Sequence, residues 1–283
     1  MPSALTIAAD ALQRGRTHAY GPHRDQRCEL RLPAGRGPNL RTDAGHPVVA
    51  VIHGGYWQTT FSKIVMRPVC ADLGRRGWAT WNIEYRRLGA RSGGGWPMTF
   101  DDVAAAIDML ADLDAPLDLS RLIVLGHSAG GHLALWAAGR SRIAAGMPGA
   151  DPRVSPVAAI AQAPVANLER GTFLTRPGGV GRALIGGGPD EVPERYAAAN
   201  PWRMLPLPVP ALLVHGKEDE TVTIEQSRDY CAANVAAGGR SELVVPLDTG
   251  HRVQIDPRSR AWTAVTDGID ALLAEALRAP DPV

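Results

Sequence analysis

Apolar positions along the 283-residue chain fall into two alternating kinds of run. Short, continuous, β-branched runs such as "VVAVIH" (48–53) predict strands buried on both faces. "WATWNIEY" (78–85), "RLIVLG" (121–126), "VAAIAQAPV" (157–165), "PALLVHG" (210–216) and "SELVVPLD" (241–248) read the same way. Between them, apolar residues recur at helical spacing. "KIVMRPVCADLGRRG" (63–77) ends with Gly77 beyond the basic pair Arg75 and Arg76, a helix stop. "MTFDDVAAAIDMLADL" sets Val103, Ile107 and Leu110 on one face, and "GHLALWAAG" (131–139) follows the third strand. The tail carries a stripe at Val265, Ile269, Leu272 and Ala276, a closing helix. Strands alternating with helices predict the α/β class, with a mostly parallel sheet covered on both faces.

Residues 166–209 break this rhythm. They are rich in glycine and proline, with one short helical stretch around 194–199. A segment of this length inside a compact domain predicts a lid or pocket wall. No repeat or interdomain linker is visible, so 1–283 reads as one domain.

Composition narrows the partners. Thirty basic residues against 29 acidic ones leave no electrostatic footprint for nucleic acid or an anionic membrane. A small-molecule substrate is expected instead, and a homodimer is compatible with this reading. Cys28, Cys70 and Cys231 are scattered and odd in number, which argues against a disulfide framework and suits a reducing cytoplasm. No apolar run is long enough for a signal peptide or a membrane span, so the expectation is a soluble, cytoplasmic protein.

The chemistry sits just after the strands. Gly126-His127-Ser128-Ala129-Gly130 fits G-x-S-x-G between a strand and a helix, where a tight turn exposes a serine hydroxyl. Such a hydroxyl is a weak nucleophile unless a base takes its proton and a third group orients that base. "HGKEDETV" (215–222) offers Glu218 and Asp219, and "DTGHRV" (248–253) offers His251, each beyond a predicted strand. Asp248, three residues before His251, reads as a turn residue. In "HGGYWQ" (53–58), the glycines let backbone N–H groups approach a carbonyl oxygen. With the Ala129 amide they would form an oxyanion hole.

Serine, acid and histidine in this chain order, with HGGYW, GHSAGG, HGxxD and a late GH, resemble the α/β-hydrolase superfamily near the hormone-sensitive-lipase-like esterases. Those enzymes carry HGGG, whereas Tyr56 stands here at the third glycine. HGG-x-W, with the preceding "YGPHRDQRCELRLP" (20–33), resembles the kynurenine formamidases (arylformamidases) instead. The resemblance covers about residues 18–275 and implies an α/β-hydrolase fold with a small irregular lid segment. It also implies Ser128 as nucleophile, Asp219 as acid, His251 as general base, and Gly55, Tyr56 and Ala129 as oxyanion donors. Gly54 and Trp57 are then substrate-binding, with Trp57 lining the acyl or leaving-group pocket. The activity implied is hydrolysis of N-formylkynurenine or a related aryl formamide through an acyl-enzyme, without cofactor or metal. A carboxylesterase for short-chain or aryl esters competes with it. A non-catalytic binding protein of the same fold is disfavoured by the intact serine, acid and histidine.

Other residues have plainer readings. Trp96, Phe173 and Trp202 either hold an aromatic substrate or cover the core edge. Glu84, near a predicted strand end, reads either as facing the cleft or, in preference, as a surface ion-pair partner of Arg86 or Arg87. His127 and His132 match no common metal spacing.

Overall fold

The computed structural model describes residues 2–33 and 40–278, without the Thr172 side chain. Eight strands form one sheet: β1 Arg16–Ala19, β2 Arg27–Arg31, β3 His46–Ile52, β4 Ala79–Ile83, β5 Leu117–His127, β6 Ala158–Gln162, β7 Ala211–Val214 and β8 Ser241–Val244. Their order is β1-β2-β4-β3-β5-β6-β7-β8. The β1–β2 and β2–β4 pairs are antiparallel, and the pairs from β4 to β8 are parallel.

Alternation explains why β3 is apolar throughout. Val48, Ala50 and Ile52 join the core on one face, and Val49 and Val51 join the core on the other. All five are fully buried, and burial of such a side chain contributes about 1.5–3 kcal/mol.

The helices follow from the topology. From β3 the chain steps to β4 through α2 (Arg67–Arg75), then reverses direction through α3 (Met98–Asp108) to β5. Right-handed crossovers in opposite directions must place their helices on opposite faces. Accordingly α2 packs on one face together with the closing helix, which is α9, Arg260–Ala276. The Trp262 indole N–H donates to Asp72 Oδ2 at 2.8 Å and ties these two helices together. On the other face lie α3, α4 (Ala129–Ala138), the short α5 (Thr172–Thr175), α6 (Val180–Ile185) and α7 (Pro193–Ala199), and α8 (Glu225–Ala236). Every residue of α4 is buried and His132 is its one polar side chain, so this helix lacks the usual polar stripe.

Each predicted strand and helix is present, with shifted ends. The run 121–126 belongs to the longer strand Leu117–His127, and 157–165 shortens to Ala158–Gln162. The structure adds β1, β2, α5, α6, α8 and α1 (Ala4–Leu12), which docks on α2 through Asp10 and Arg75 at 3.0 Å. Among the described residues, no helix is long and apolar enough to cross a membrane. Cys28, Cys70 and Cys231 are all free thiols.

Candidate active site

The reversal of chain direction puts β3 and β5 side by side at the centre of the sheet, with Ile52 opposite Gly126. Open α/β sheets bind ligands at the carboxyl ends of strands at such a switch point. Here the two loops leaving that point are His53–Trp57 and the Ser128 corner.

Ser128 has φ 57° and ψ −119°, a conformation that non-glycine residues rarely adopt. Its surroundings hold it there. A Cβ on Gly126 would lie 2.0 Å from the Gly130 carbonyl oxygen, and one on Gly130 would lie 2.1 Å from that of Ile52. Strand and helix therefore meet at backbone contact on both sides of the serine. The Ser128 amide donates to Gln162 O at 2.8 Å, anchoring the corner to β6. As the first residue of α4, Ala129 carries an amide without an intrahelical acceptor.

Gly54 fits only as glycine, since a Cβ would sit 2.6 Å from His127 O and 3.0 Å from Ser128 Cβ. Positive φ then runs through Gly55 (113°), Tyr56 (56°) and Trp57 (54°). The consequence for Trp57 corrects the sequence expectation. Its side chain turns into the core, 1% exposed and edge-on to His132 at 5.2 Å, and it does not line the cavity at Ser128. Tyr56 does line it and is 39% exposed.

Behind this loop lies a buried polar cluster. His53 directs Nε2 at Glu84 Oε1 (2.8 Å) and Nδ1 at the Gly54 carbonyl (2.7 Å). Glu84 also accepts from the Lys63 amide at 3.1 Å and pairs with Arg87 at 3.1 Å. The partner Arg87 is as expected, but the pair is buried, not on the surface. Burial would raise the Glu84 pKa, yet the adjacent His53, then Arg87 and the Lys63 amide, bring it below its ordinary value.

The acid and histidine arrive from the far strands. Asp219 follows β7, and its Oδ2 accepts from His251 Nδ1 at 2.7 Å. Oδ1 takes the Thr221 and Val222 amides at 2.9 Å each, and Gln254 Nε2 donates to Oδ2 at 3.0 Å. Burial alone would favour the acid form of Asp219. Hydrogen bonds from His215, His251 and Val222 overcome it and hold the carboxyl well below the usual carboxylate range. The competing acid, Glu218, instead accepts from the Thr249 amide at 2.8 Å. Asp248 is a turn residue with φ 52°, as its position suggested.

His251 is steadied by His127, whose Nε2–H donates to the His251 carbonyl at 2.9 Å. Burial, and secondarily the nearby His251, push the His127 pKa down to about 3, so that ring is neutral near pH 7. His132 is also buried, and its pKa falls to about 4 for that reason. With Nδ1–H of His251 committed to Asp219, the lone pair lies on Nε2.

Gly54, Gly55, Tyr56, Ser128 and His251 all face one cavity of about 300 Å³. Phe61, Val65 and Ile255 make its apolar wall, and Thr221 and Arg252 contribute polar groups. None of these wall residues was expected from sequence. Arg252 and Ile255 belong to the 3₁₀ turn that directly follows His251, a proximity that could have marked them. None of the described side chains of 166–209 lines this cavity. That segment packs on α4, where Trp136 Nε1 donates to Ala198 O (2.8 Å) and His132 Nε2 to Ala199 O (2.9 Å). Trp96, Phe173 and Trp202 likewise rest against the core. A larger groove of about 1140 Å³ lies along β8 and α9, remote from Ser128 and His251.

The sheet order and two-sided helical cover define an α/β-hydrolase fold. Within that class, the BD-FAE family model matches residues 38–233, most of the chain, and the protein belongs to that family. Among curated proteins, Esterase LipQ of Mycobacterium tuberculosis is 26% identical over 83% of this chain, and Esterase LipC of the same organism 29% over 70%. The chain spans 59% of the length of LipQ and 50% of LipC. Among solved structures, a truncated carbohydrate esterase from gut microbiota superposes with a TM-score of 0.76 at 19% identity, covering 93% of this chain and 96% of that one. The propionate-bound Est2 esterase of Thermogutta terrifontis gives 0.70 at 26% identity, covering 95% and 97%.

Proposed function

We propose that the protein is a serine esterase for small ester substrates, with Ser128 as nucleophile, His251 as general base and Asp219 as the acid orienting it. The observation that carries this reading is the 2.7 Å Asp219–His251 contact at a cavity that also receives Ser128 from its strained corner. His251 Nε2 accepts the Ser128 proton as Oγ attacks the ester carbonyl. The amides of Gly55, Tyr56 and Ala129 receive the developing oxyanion. His251 then returns the proton to the departing alcohol, leaving an acyl-enzyme. Water, deprotonated by the same nitrogen, releases the acid. The chain's own residues supply every step, without cofactor or metal.

Named esterases among the relatives favour esters over formamides. Hydrolysis of an aryl formamide such as N-formylkynurenine is the second reading, favoured by the His53–Trp57 sequence. A cavity of about 300 Å³ lies at the lower end of small-molecule sites and suits a short acyl group in either case.

Hydrolysis of p-nitrophenyl acetate and of N-formylkynurenine by wild type and Ser128→Ala tests both. Serine-dependent turnover with the larger kcat/KM on the ester is expected. The larger value on the formamide would reverse the order of the two readings. Full activity in Ser128→Ala would refute the mechanism.

A further inference from the structure

The cavity beside Ser128 has one permanent charge on its wall. Of its lining residues, Arg252 alone is cationic at every working pH, since His127 is neutral and Asp219 lies behind His251. The Arg252 guanidinium stands 5.6 Å from the Phe61 ring centroid, within cation–π range. It has no ion pair or hydrogen bond among the described residues. Three carboxylates close to it in the chain or in the flanking loop have partners of their own. Asp256 pairs with Arg258 at 2.7 Å, Asp248 with Arg260 at 3.4 Å, and Glu218 accepts the Thr249 amide.

An arginine on open surface gains little from any one anion. Arg252 is itself exposed, so its charge alone contributes modestly; its selectivity comes from its place beside the apolar wall and from a guanidinium fork that matches a carboxylate through two parallel N–H···O bonds. We propose that Arg252 is a substrate-recognition residue, and that the preferred substrates are esters carrying a carboxylate away from the scissile bond. The body of such a substrate, aryl or alkyl, rests on Phe61, Val65 and Ile255, while Arg252 takes its anionic end. Phe61 serves both parts, as apolar floor and as the ring that holds the guanidinium over the cavity. This rests on the esterase reading for its chemistry, but the binding of the anion does not.

Two measurements separate these dependencies. The first is binding, by titration calorimetry, of benzoate and of its neutral counterpart benzamide to wild type, Arg252→Gln and Arg252→Lys. Wild type is expected to prefer benzoate, and Arg252→Gln to weaken benzoate about tenfold relative to benzamide, the loss expected for one charge-assisted contact. Arg252→Lys should recover part of it, and added salt should weaken benzoate binding in wild type and Arg252→Lys but not in Arg252→Gln. The second is hydrolysis of 3-acetoxybenzoate and 3-acetoxy-N-methylbenzamide, which release the same acetyl group. The anion-to-neutral ratio of kcat/KM is expected to fall about tenfold in Arg252→Gln. Equal affinity for benzoate and benzamide in wild type, or a ratio unmoved in Arg252→Gln, overturns the proposal. If neither acetate is hydrolysed while benzoate binding still depends on Arg252, the esterase reading fails and the anion site stands.

Discussion

Glu84 is the residue whose removal would say most about how the His53–Trp57 loop, the proposed oxyanion loop, is held. Its carboxylate is fastened at 2.8 Å to His53, the residue that begins the loop, and at 3.1 Å to both the Lys63 amide and Arg87. The side chains of Glu84, His53 and Arg87 are 7%, 0% and 7% exposed, so Glu84→Ala would strand the His53 ring and the Lys63 amide, while Arg87 keeps Asp25 at 3.3 Å and the Phe61 carbonyl. Removing one partner of a buried pair costs about 3–5 kcal/mol. At roughly 2 °C per kcal/mol for a domain of this size, the melting temperature at pH 7 should drop by about 6–10 °C. Glu84→Gln, which keeps the shape, should lose about 2 kcal/mol, because one amide N–H then faces a donor. The folded pKa of Glu84 lies below its ordinary value of 4.5, so its stabilisation is present above that pH and fades as pH falls through the folded value. The wild-type advantage over Glu84→Gln should therefore narrow on acidification below about pH 4.5. Calorimetric melting from pH 7 to pH 3, with kcat for p-nitrophenyl acetate measured on the same samples at pH 7, checks both parts. A melting temperature for Glu84→Ala within 2 °C of wild type, with kcat unchanged, would show that the cluster does not hold the loop.

Two further substitutions probe other parts of the site. Asp219→Asn should lower kcat by about 10⁴-fold, the scale of loss when the orienting acid of such a triad is neutralised, while Glu218→Gln should stay near wild type in the same steady-state assay. Gly130→Ala would drive a Cβ to 2.1 Å from Ile52 O and 2.6 Å from His53 O, both backbone atoms that cannot swing aside. A loss of about 3 kcal/mol or more is expected in urea unfolding, because overpacking at rigid contacts cannot be relieved by a rotamer change.

Legibility in the sequence followed burial. β3, β5 and β6 were readable because both faces are covered, which leaves an unbroken apolar run with few alternatives. β1 and β2 were not. "RTHA" and "RCELR" look solvent-facing, yet Glu29 of β2 is buried because Arg67 neutralises it at 2.6 Å. That partner lies 38 residues away, and no local pattern announces it. Ser128, Asp219 and His251 stand out because each follows a strand, and the structure brings Asp219 to 2.7 Å from His251 at the cavity that Ser128 also lines. The cavity wall could not, since Phe61, Val65 and Ile255 sit in irregular segments without a period to read. The placement of Trp57 is illegible for a related reason. Whether a tryptophan after HGGY faces substrate or core depends on the sign of φ at residues 55–57, which composition does not encode. The segment 166–209 has loop composition, but Leu174, Leu184, Ile185 and Tyr196 are buried against the core, so it serves as cover for α4.

The positions of Asp219 and His251 pose a geometric problem that the sheet alone does not solve. Ser128 leaves β5, while the acid and the histidine leave β7 and β8, two and three strands farther along. With strands about 4.8 Å apart, the loop after β8 must carry His251 back by more than 10 Å. Several independent bonds fix where it lands. His127, adjacent to Ser128, takes the His251 carbonyl; Asp219 takes its ring; and Gln162, at the end of β6, donates to Gln254 O at 2.6 Å while Gln254 donates to Asp219. The neutrality of His127 matters to this arrangement, because under the proposed mechanism a second cation beside His251 would make protonation of the His251 ring less favourable. Burial of His127 thus serves two ends at once: it anchors the returning loop, and it leaves Asp219 to set the electrostatic surroundings that the proposed mechanism needs at His251.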